Sequence, residues 1–447
     1  MTNFDSQVET YIKDYRKYKK PISVSFRKMI PTLNNSDRAT HLIHTYPAKL
    51  LPHIPHFFIN NNILSRPNDK ILDSFCGSGT VLLEGALAGR IPIGADSNPL
   101  ARLISRTKIT HYDISLLKLL QAEIISSIDK RRKVENPYVV NVDYWFLPSI
   151  KKELSLIREA IDKIKNSTYR DFFDVCFSNL VKKVSLADPR VSVPVKLNPN
   201  RYPTDHLLRK VSKNILKSLK DIDVRKRFNE IIEQNIKRFE KLNIELTKGI
   251  ESNVTSSDAR NLVYSNGWKL RSESIQLYVS SPPYSGAQKY IRSSSLNLGW
   301  LGLTKEEITL RRLEEKSIGR ENYYAKEFIE LKKTGIKNAD ILLEIIYTKY
   351  PQRAHIASNY LLEMGDSFKE AIRVLKKQGY FVLVIGNNQV CGYEFNTQEY
   401  LSTILEGLGM KLVFKLIDDI RSYGLMTKRN KTANIITREY ILVFQKI

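Results

Sequence analysis

Ser281-Pro282-Pro283-Tyr284 is the stretch of this chain best suited to chemistry. It follows Gln276-Leu277-Tyr278-Val279-Ser280, an apolar run that reads as a buried strand. Proline fixes φ and has no N–H to donate, so the strand must stop there. What remains is a stiff turn that presents a hydroxyl, carbonyl oxygens and a flat ring at the carboxyl edge of a sheet. Ligands gather at that edge in open α/β sheets. Oxygens that accept from an amine, beside a ring that stacks on a flat face, suit a planar amine-bearing ring.

A second motif lies upstream. Lys70-Ile71-Leu72-Asp73-Ser74-Phe75-Cys76-Gly77-Ser78-Gly79-Thr80, continued by Val81-Leu82-Leu83-Glu84-Gly85-Ala86-Leu87, reads as strand, glycine turn and helix. Gly77 and Gly79 let the backbone turn sharply and approach a ligand. Ile91-Pro92-Ile93-Gly94-Ala95-Asp96 then gives a short strand ending in an acid, where ribose hydroxyls are bound in such folds. The combination points to a nucleoside cofactor. A dinucleotide fingerprint asks for a third glycine where Leu82 stands. S-adenosylmethionine, which carries an adenosine and an amino acid but no phosphate, needs no such cradle.

Asp73-Ser74-Phe75-Cys76-Gly77-Ser78-Gly79-Thr80 and Ser281-Pro282-Pro283-Tyr284 together resemble the amino-group DNA methyltransferases, which methylate cytosine N4 or adenine N6. Three further segments fit the resemblance. His44-Thr45-Tyr46-Pro47-Ala48-Lys49 is similar to the segment that closes the cofactor pocket in that family. Ser257-Asp258-Ala259-Arg260 stands where the family places an acid beside the adenine. Glu370 to Asn387 resembles the helix, turn and strand that follow the catalytic loop. The match covers roughly residues 40–110 and 251–447. It implies an α/β fold: a Rossmann-like class I S-adenosylmethionine-dependent methyltransferase sheet with a C-terminal β-hairpin, here with a mainly helical insertion.

The resemblance also implies roles. It places Asp73 near the methionine amino group, Asp96 at the ribose and Asp258 near the adenine amine. Tyr46, Pro47, Phe75, Gly77, Gly79, Thr80, Asn98 and Ala259 belong to the same expected pocket. Ser281, Pro282, Pro283 and Tyr284 form the expected catalytic loop. The Ser281 hydroxyl and the Pro282 carbonyl would accept the two amine hydrogens, and Tyr284 would stack on a base drawn out of the duplex. Serine at the first position of the tetrapeptide, where many members carry aspartate, leans towards cytosine N4 within the family, with adenine N6 as the alternative. An RNA amine methyltransferase and a non-catalytic DNA-binding protein are the other readings.

The three cysteines bear on mechanism. Cytosine C5 methyltransferases use the cysteine of a Pro-Cys dipeptide, whereas Cys76, Cys176 and Cys391 follow Phe75, Val175 and Val390. Direct attack by an exocyclic amine is the chemistry that remains. The same three widely spaced residues offer neither a metal-binding spacing nor a disulfide framework, which fits a reducing cytoplasm.

Seventy-one Lys and Arg against 47 Asp and Glu give a formal net charge of +24 over 447 residues, an excess suited to a polyanion. Double-stranded DNA is the expected partner, with nucleoid association through it. The family resemblance adds a restriction endonuclease acting separately. No long apolar stretch suggests a membrane span, and the first residues lack the pattern of a signal peptide.

Residues 1–111 read as a basic N-terminal arm or short helix followed by the cofactor half of the catalytic domain. Residues 112–250 interrupt the family pattern. Leu116, Leu119, Leu120, Ile124 and Ile128 sit at helical spacing, as do Leu154, Ile157, Ile161 and Ile164. The basic end of this insertion, with Lys210, Lys213, Lys217, Arg225, Lys226 and Arg227, is either a DNA-contacting surface in a target-recognition region or a solvated face. Residues 251–447 carry the catalytic half. Within it, 302–350 is a DNA-facing or substrate-covering insertion, or a plain surface helix pair. Tyr423, between two C-terminal strands, is a second stacking ring or a surface tyrosine.

Overall fold

The computed structural model describes residues 3–33, 38–47, 49–128, 135, 137–246, 253–256, 258–285, 289–305, 308–419 and 438–447. Ten strands run through them: β1 (Ile22–Val24), β2 (Lys70–Asp73), β3 (Ile91–Ala95), β4 (Asn253–Ser256), β5 (Ile275–Ser280), β6 (Leu375–Ile385), β7 (Asn388–Val390), β8 (Tyr393–Phe395), β9 (Met410–Asp419) and β10 (Arg438–Lys446). Eight of them form one sheet in the order β1-β9-β10-β6-β5-β2-β3-β4, and β7 and β8 make a separate hairpin. Every neighbouring pair in the large sheet is parallel except those made by β10, which is antiparallel to both β6 and β9. This is a Rossmann-like class I sheet with the expected C-terminal antiparallel pair.

Central strands are covered on both faces, so they read as unbroken apolar runs whose residues alternate between two layers. Ile71, Leu277, Val279, Val382, Val384, Ile441 and Val443 face one layer, against Val8, Phe57, Phe58 and Val81. Leu72, Tyr278, Phe381, Leu383, Leu442 and Phe444 face the other, against the helices Pro351–Val374 and Thr397–Gly407. Tyr278 and Phe381 stack with ring centroids 4.0 Å apart. Truncating a fully buried phenylalanine such as Phe381 costs about 3–5 kcal/mol.

Of the two readings of the N-terminal residues, arm or short helix, the helix is the one observed. The helix Asn3–Tyr18 buries Val8, Asp5 accepts from the Asn62 N–H at 2.8 Å, and β1 adds to the sheet edge beside β9. The apolar side of this helix, formed by Val8 with Phe4, Tyr11, Ile12 and Tyr15, ties it to the core. Lys13, Arg16 and Lys17, with Lys19 and Lys20 just beyond the helix, stay on the surface.

The described residues of the 112–250 insertion fold mainly as five long helices: Ile114–Ile128, Pro148–Asp162, Ser167–Lys183, Leu207–Lys220 and Val224–Glu245. Their apolar stripes do not close on themselves alone. Leu117, Leu154, Phe173, Phe177 and Ile232 share one core with Leu83, Leu100 and Ile104 from helices flanking the sheet. Polar links cross the same boundary: Asn235 Nδ2 donates to the Ile43 carbonyl at 3.2 Å, and Asn297 Nδ2 to the Ser178 carbonyl at 2.6 Å. No helix among the described residues is long and apolar enough to cross a membrane. Tyr423 lies outside the described residues.

Candidate active site

The two motifs, some 200 residues apart in the chain, meet because β2 and β5 are neighbours, with Leu72 opposite Tyr278. Asp73 is the joint. One of its oxygens accepts from the Phe75 N–H at 3.0 Å and from Ser280 Oγ at 2.6 Å, tying the glycine turn to the residue before the Ser-Pro-Pro-Tyr loop. Burial pushes the Asp73 carboxyl up to about 7, with these two donors pulling it back.

Gly79 has φ of +75° and begins the helix Thr80–Leu87. A Cβ there would lie 2.7 Å from Ser105 Cβ, so only glycine fits both the dihedral and the space. The helix packs closely on the sheet at Gly85, where a Cβ would come within 2.3 Å of Ile71 Cδ1, rather than at the position of the fingerprint's third glycine. Leu82 instead fills the space above Gly94 of β3, where a Cβ would come within 2.6 Å of Leu82 Cδ1. Asp96, just past β3, accepts from the Gly77 N–H at 2.9 Å and the Asn98 N–H at 2.8 Å. Burial pushes its carboxyl up, and those two N–H groups offset part of the shift. Asn98 caps the helix Pro99–Lys108 through the Leu100 N–H and donates to the Tyr46 hydroxyl at 3.2 Å.

Tyr46 arrives on a segment anchored by one carboxylate. Glu84 is fully buried and accepts from Arg38 Nη1 at 2.6 Å, while His41 Nε2 and His56 Nδ1 each lie 2.8 Å from it. Burial pushes Glu84 up, but the hydrogen bonds from His41 and His56 and the charge of Arg38 outweigh it and leave the carboxyl below its usual range. Lys49 Nζ bonds the carbonyls of His41 and His44 and closes the segment on itself.

These elements border a cleft, open to solvent, of about 660 Å³. Of the expected site residues, Tyr46, Phe75, Gly77, Asp96, Asp258, Ala259, Ser281 and Pro283 line it. Asp73, Thr80, Asn98 and Pro282 are buried behind it, Gly79 shapes the turn, and Pro47 is half-buried beyond Tyr46. Tyr284 packs partly buried against the sheet core, with its carbonyl close to Gly319. Asp258 is held by Arg260, whose guanidinium also reaches Glu363 and the Lys316 carbonyl.

Sequence reasoning missed Ser74, Ser97, Tyr290, Lys316, Ser317 and Ile318, which also line the cleft. The signal for the last three was faint: they belong to the insertion after the catalytic loop, but nothing in their types singles them out. Ser317 Oγ lies 3.2 Å from Ser97 Oγ, which seats this insertion over the end of β3. No cysteine lines the cleft among the described residues. Cys76 and Cys176 are buried elsewhere.

The chemistry of the lining tests which cofactor fits. Among the described residues, two carboxylates, two aromatic rings beside the glycine turn and a single cation, Lys316, surround the space. A pyrophosphate would meet acids there. A ligand with an amine, a ribose and a flat purine fits the same donors and acceptors.

The expected DNA-contacting cations lie on two successive helices. Lys210, Lys213, Lys217 and Lys226 are exposed. Arg225 pairs with Glu153 at 2.5 Å and Arg227 with Glu230 at 2.8 Å, so those two charges are already engaged within the protein.

No protein-family model matches the chain. It is similar to the type II methyltransferase M.MvaI of Kocuria varians, 25% identical over 442 residues that cover 92% of each chain. It is similar also to the type II methyltransferase M.BsoBI of Geobacillus stearothermophilus, 22% identical over 472 residues, covering 94% of this chain and 88% of that one. A shorter match, 27% identical over 137 residues, covers 31% of this chain and 37% of the tRNA (guanine(10)-N2)-dimethyltransferase of Methanothermobacter thermautotrophicus.

Proposed function

We propose that the chain, which is similar over most of its length to two type II methyltransferases, is a site-specific DNA methyltransferase acting on an exocyclic amine, with cytosine N4 as the target. The observation that carries the reading is the junction at Asp73. It brings the glycine turn and the start of the Ser-Pro-Pro-Tyr loop to one cleft, which Phe75, Gly77, Ser281 and Pro283 line.

S-adenosylmethionine is the cofactor. When bound it supplies a methyl group on a positively charged sulfur, already activated for transfer. Asp96 would take the ribose hydroxyls, Asp258 and Ala259 the adenine edge, and Tyr46 and Phe75 the apolar faces. The chain's own task is then one of placement. Cytosine N4 is a weak nucleophile because its lone pair is delocalised into the ring. The Ser281 hydroxyl lines the cleft and has no protein partner among the described residues, so it can accept one amine hydrogen. The Pro282 carbonyl would accept the other. Holding both hydrogens favours a pyramidal nitrogen with its lone pair directed at the methyl group, and positioning of this kind supplies most of the acceleration. Tyr284 would cover the face of the base after it leaves the duplex, a step that costs a few kcal/mol.

The net charge of +24 and the exposed lysines on the helix Leu207–Lys220 support a polyanionic substrate. Serine in the tetrapeptide supports cytosine over adenine. A restriction endonuclease partner would act as a separate protein. The partial similarity to a tRNA methyltransferase gives a second reading, an RNA amine as target.

Mass spectrometry of nucleosides decides among these. DNA and RNA are incubated with the protein and labelled S-adenosylmethionine, and N4-methylcytosine in DNA is the expected product. N6-methyladenine would keep the mechanism and change the base. Label in RNA alone would favour the second reading, and 5-methylcytosine would overturn the mechanism.

A further inference from the structure

A second cavity of about 410 Å³ adjoins the cleft and shares Tyr290, Ser317 and Ile318 with it. Ser281 and Pro283 line only the first, whereas Lys289, Arg292 and Arg320 line only the second. This division has a chemical consequence for a substrate that must bring one amine to Ser281. On the reading above, the base and the cofactor would share the first cavity. The sugar and phosphate attached to that base need a neighbouring space with a different character.

The second cavity has that character. Glu321 is engaged by Lys289 at 3.1 Å, and Glu314 accepts from Asn322 Nδ2 at 2.9 Å. Arg320 pairs with Glu327 at 2.9 Å and lies over the Tyr323 ring at 4.0 Å. Arg292 is different. It stands exposed on the short helix Tyr290–Ser293, two residues from the shared tyrosine, with no ion pair among the described residues. The opposite wall, residues 316–322, is fixed: Ser317 meets Ser97, the Lys316 carbonyl accepts from Arg260, and Glu321 holds Lys289. A cation with no ion-pair partner among the described residues, facing a rigid wall and next to a ring that borders the reactive cleft, is an arrangement for an anion on a planar ligand.

We propose that this second cavity seats the sugar-phosphate of the extruded target nucleotide, with Arg292 holding its phosphate and Tyr290 dividing the backbone from the base. The assignment rests on the DNA amine methyltransferase reading above.

The test compares wild type, Arg292→Ala and Arg292→Lys on two duplexes. One carries the sequence that the wild-type protein modifies, identified by sequencing of modified bases, and the other lacks that sequence, so that no nucleotide is extruded from it. Arg292→Ala should weaken binding to the first duplex about tenfold, raise KM for DNA to match, and leave kcat nearly unchanged. Its log–log salt slope should fall by about 0.9. On the second duplex the two proteins should bind alike, and Arg292→Lys should recover most of the affinity on the first. S-adenosylmethionine should stabilise all three proteins equally, which controls for folding and for the first cavity. Unchanged affinity in Arg292→Ala overturns the proposal. So does equal weakening on both duplexes, which would make Arg292 a general phosphate ligand. A wild-type protein that methylates no DNA fails the underlying reading, and the seat falls with it.

Discussion

Replacing Asp73 by asparagine separates the carboxylate's effect on folding from its effect on the cofactor. Asp73 is buried, and burial raises its carboxyl from 3.8 to about 7. A carboxyl that holds its proton more tightly in the folded chain than in the unfolded one stabilises the fold most at low pH. That contribution is lost as the pH climbs from about 3.8 to about 7. At 1.36 kcal/mol per pH unit the whole span is on the order of 4 kcal/mol, of which about 2–3 kcal/mol falls above pH 5. Asparagine cannot titrate, yet its amide oxygen can still accept from Ser280 Oγ and the Phe75 N–H. Without cofactor, Asp73→Asn should therefore gain on wild type between pH 5 and pH 8, seen as an apparent Tm difference that widens by several degrees across that range. The cofactor reverses the ranking. If Asp73 receives the methionine amino group, S-adenosylmethionine should stabilise wild type strongly at pH 8 and the variant little, by mass action on the native state. Thermal scans of both proteins at the two pH values, with and without cofactor, measure each of these effects. Parallel pH dependence in the two proteins would refute the buried-proton argument, and equal stabilisation by the cofactor would remove Asp73 from its pocket.

Ser281→Ala should lose most turnover while the cofactor-induced Tm shift survives, because the hydroxyl acts on the amine; near-normal methylation would take the serine out of the reaction. Reversing Lys210, Lys213 and Lys217 to glutamate should weaken DNA binding and lower the log–log salt slope by about 0.9 for each phosphate no longer neutralised, as titrations at several salt concentrations would show. An unchanged slope in the folded triple variant would make this helix a solvated face. Glu84→Ala leaves Arg38, His41 and His56 without their shared acceptor and should cost about 3–5 kcal/mol in denaturant unfolding. A loss below about 1 kcal/mol would show that the segment carrying Tyr46 is held mainly by packing.

What could be read from the sequence was local and strongly patterned. The strand before Ser281 declared itself by its apolar run and its prolines, and the glycine turn by Gly77 and Gly79 before a continuous apolar helix. The C-terminal strands β9 and β10 were legible because both are long and rich in Val, Leu and Phe. At the N-terminus the short helix was one of two readings, because its lysines dominate the composition, while the few residues that tie it down, Asp5, Val8 and Phe26, carry a signal only when their partners are known. The role of Arg38, His41 and His56 was hidden for the same reason: nothing in the spacing of three separate side chains says that they converge on Glu84. Tyr290 and Ser317 line the cleft through the way loops pack over the sheet edge, a property of tertiary packing that no periodicity records.

The continuity of the helical insertion with the catalytic core bears on how such a protein can change its target. A recognition region with its own interior could be exchanged as a unit between relatives, leaving the reaction chamber untouched. Here Leu117, Phe173 and Ile232 are packed in the same interior as Leu83 and Ile104, and Ser178 takes hydrogen bonds from the segment that follows the catalytic loop. Wholesale replacement of residues 112–250 would strip one side of the chamber of its support. If these helices carry the target recognition, new specificity is more accessible through substitutions on their solvent-facing sides and connecting loops, one side chain at a time. Chimeras made by swapping the insertion should accordingly lose solubility before they gain a new site, whereas libraries confined to its exposed positions should keep the fold.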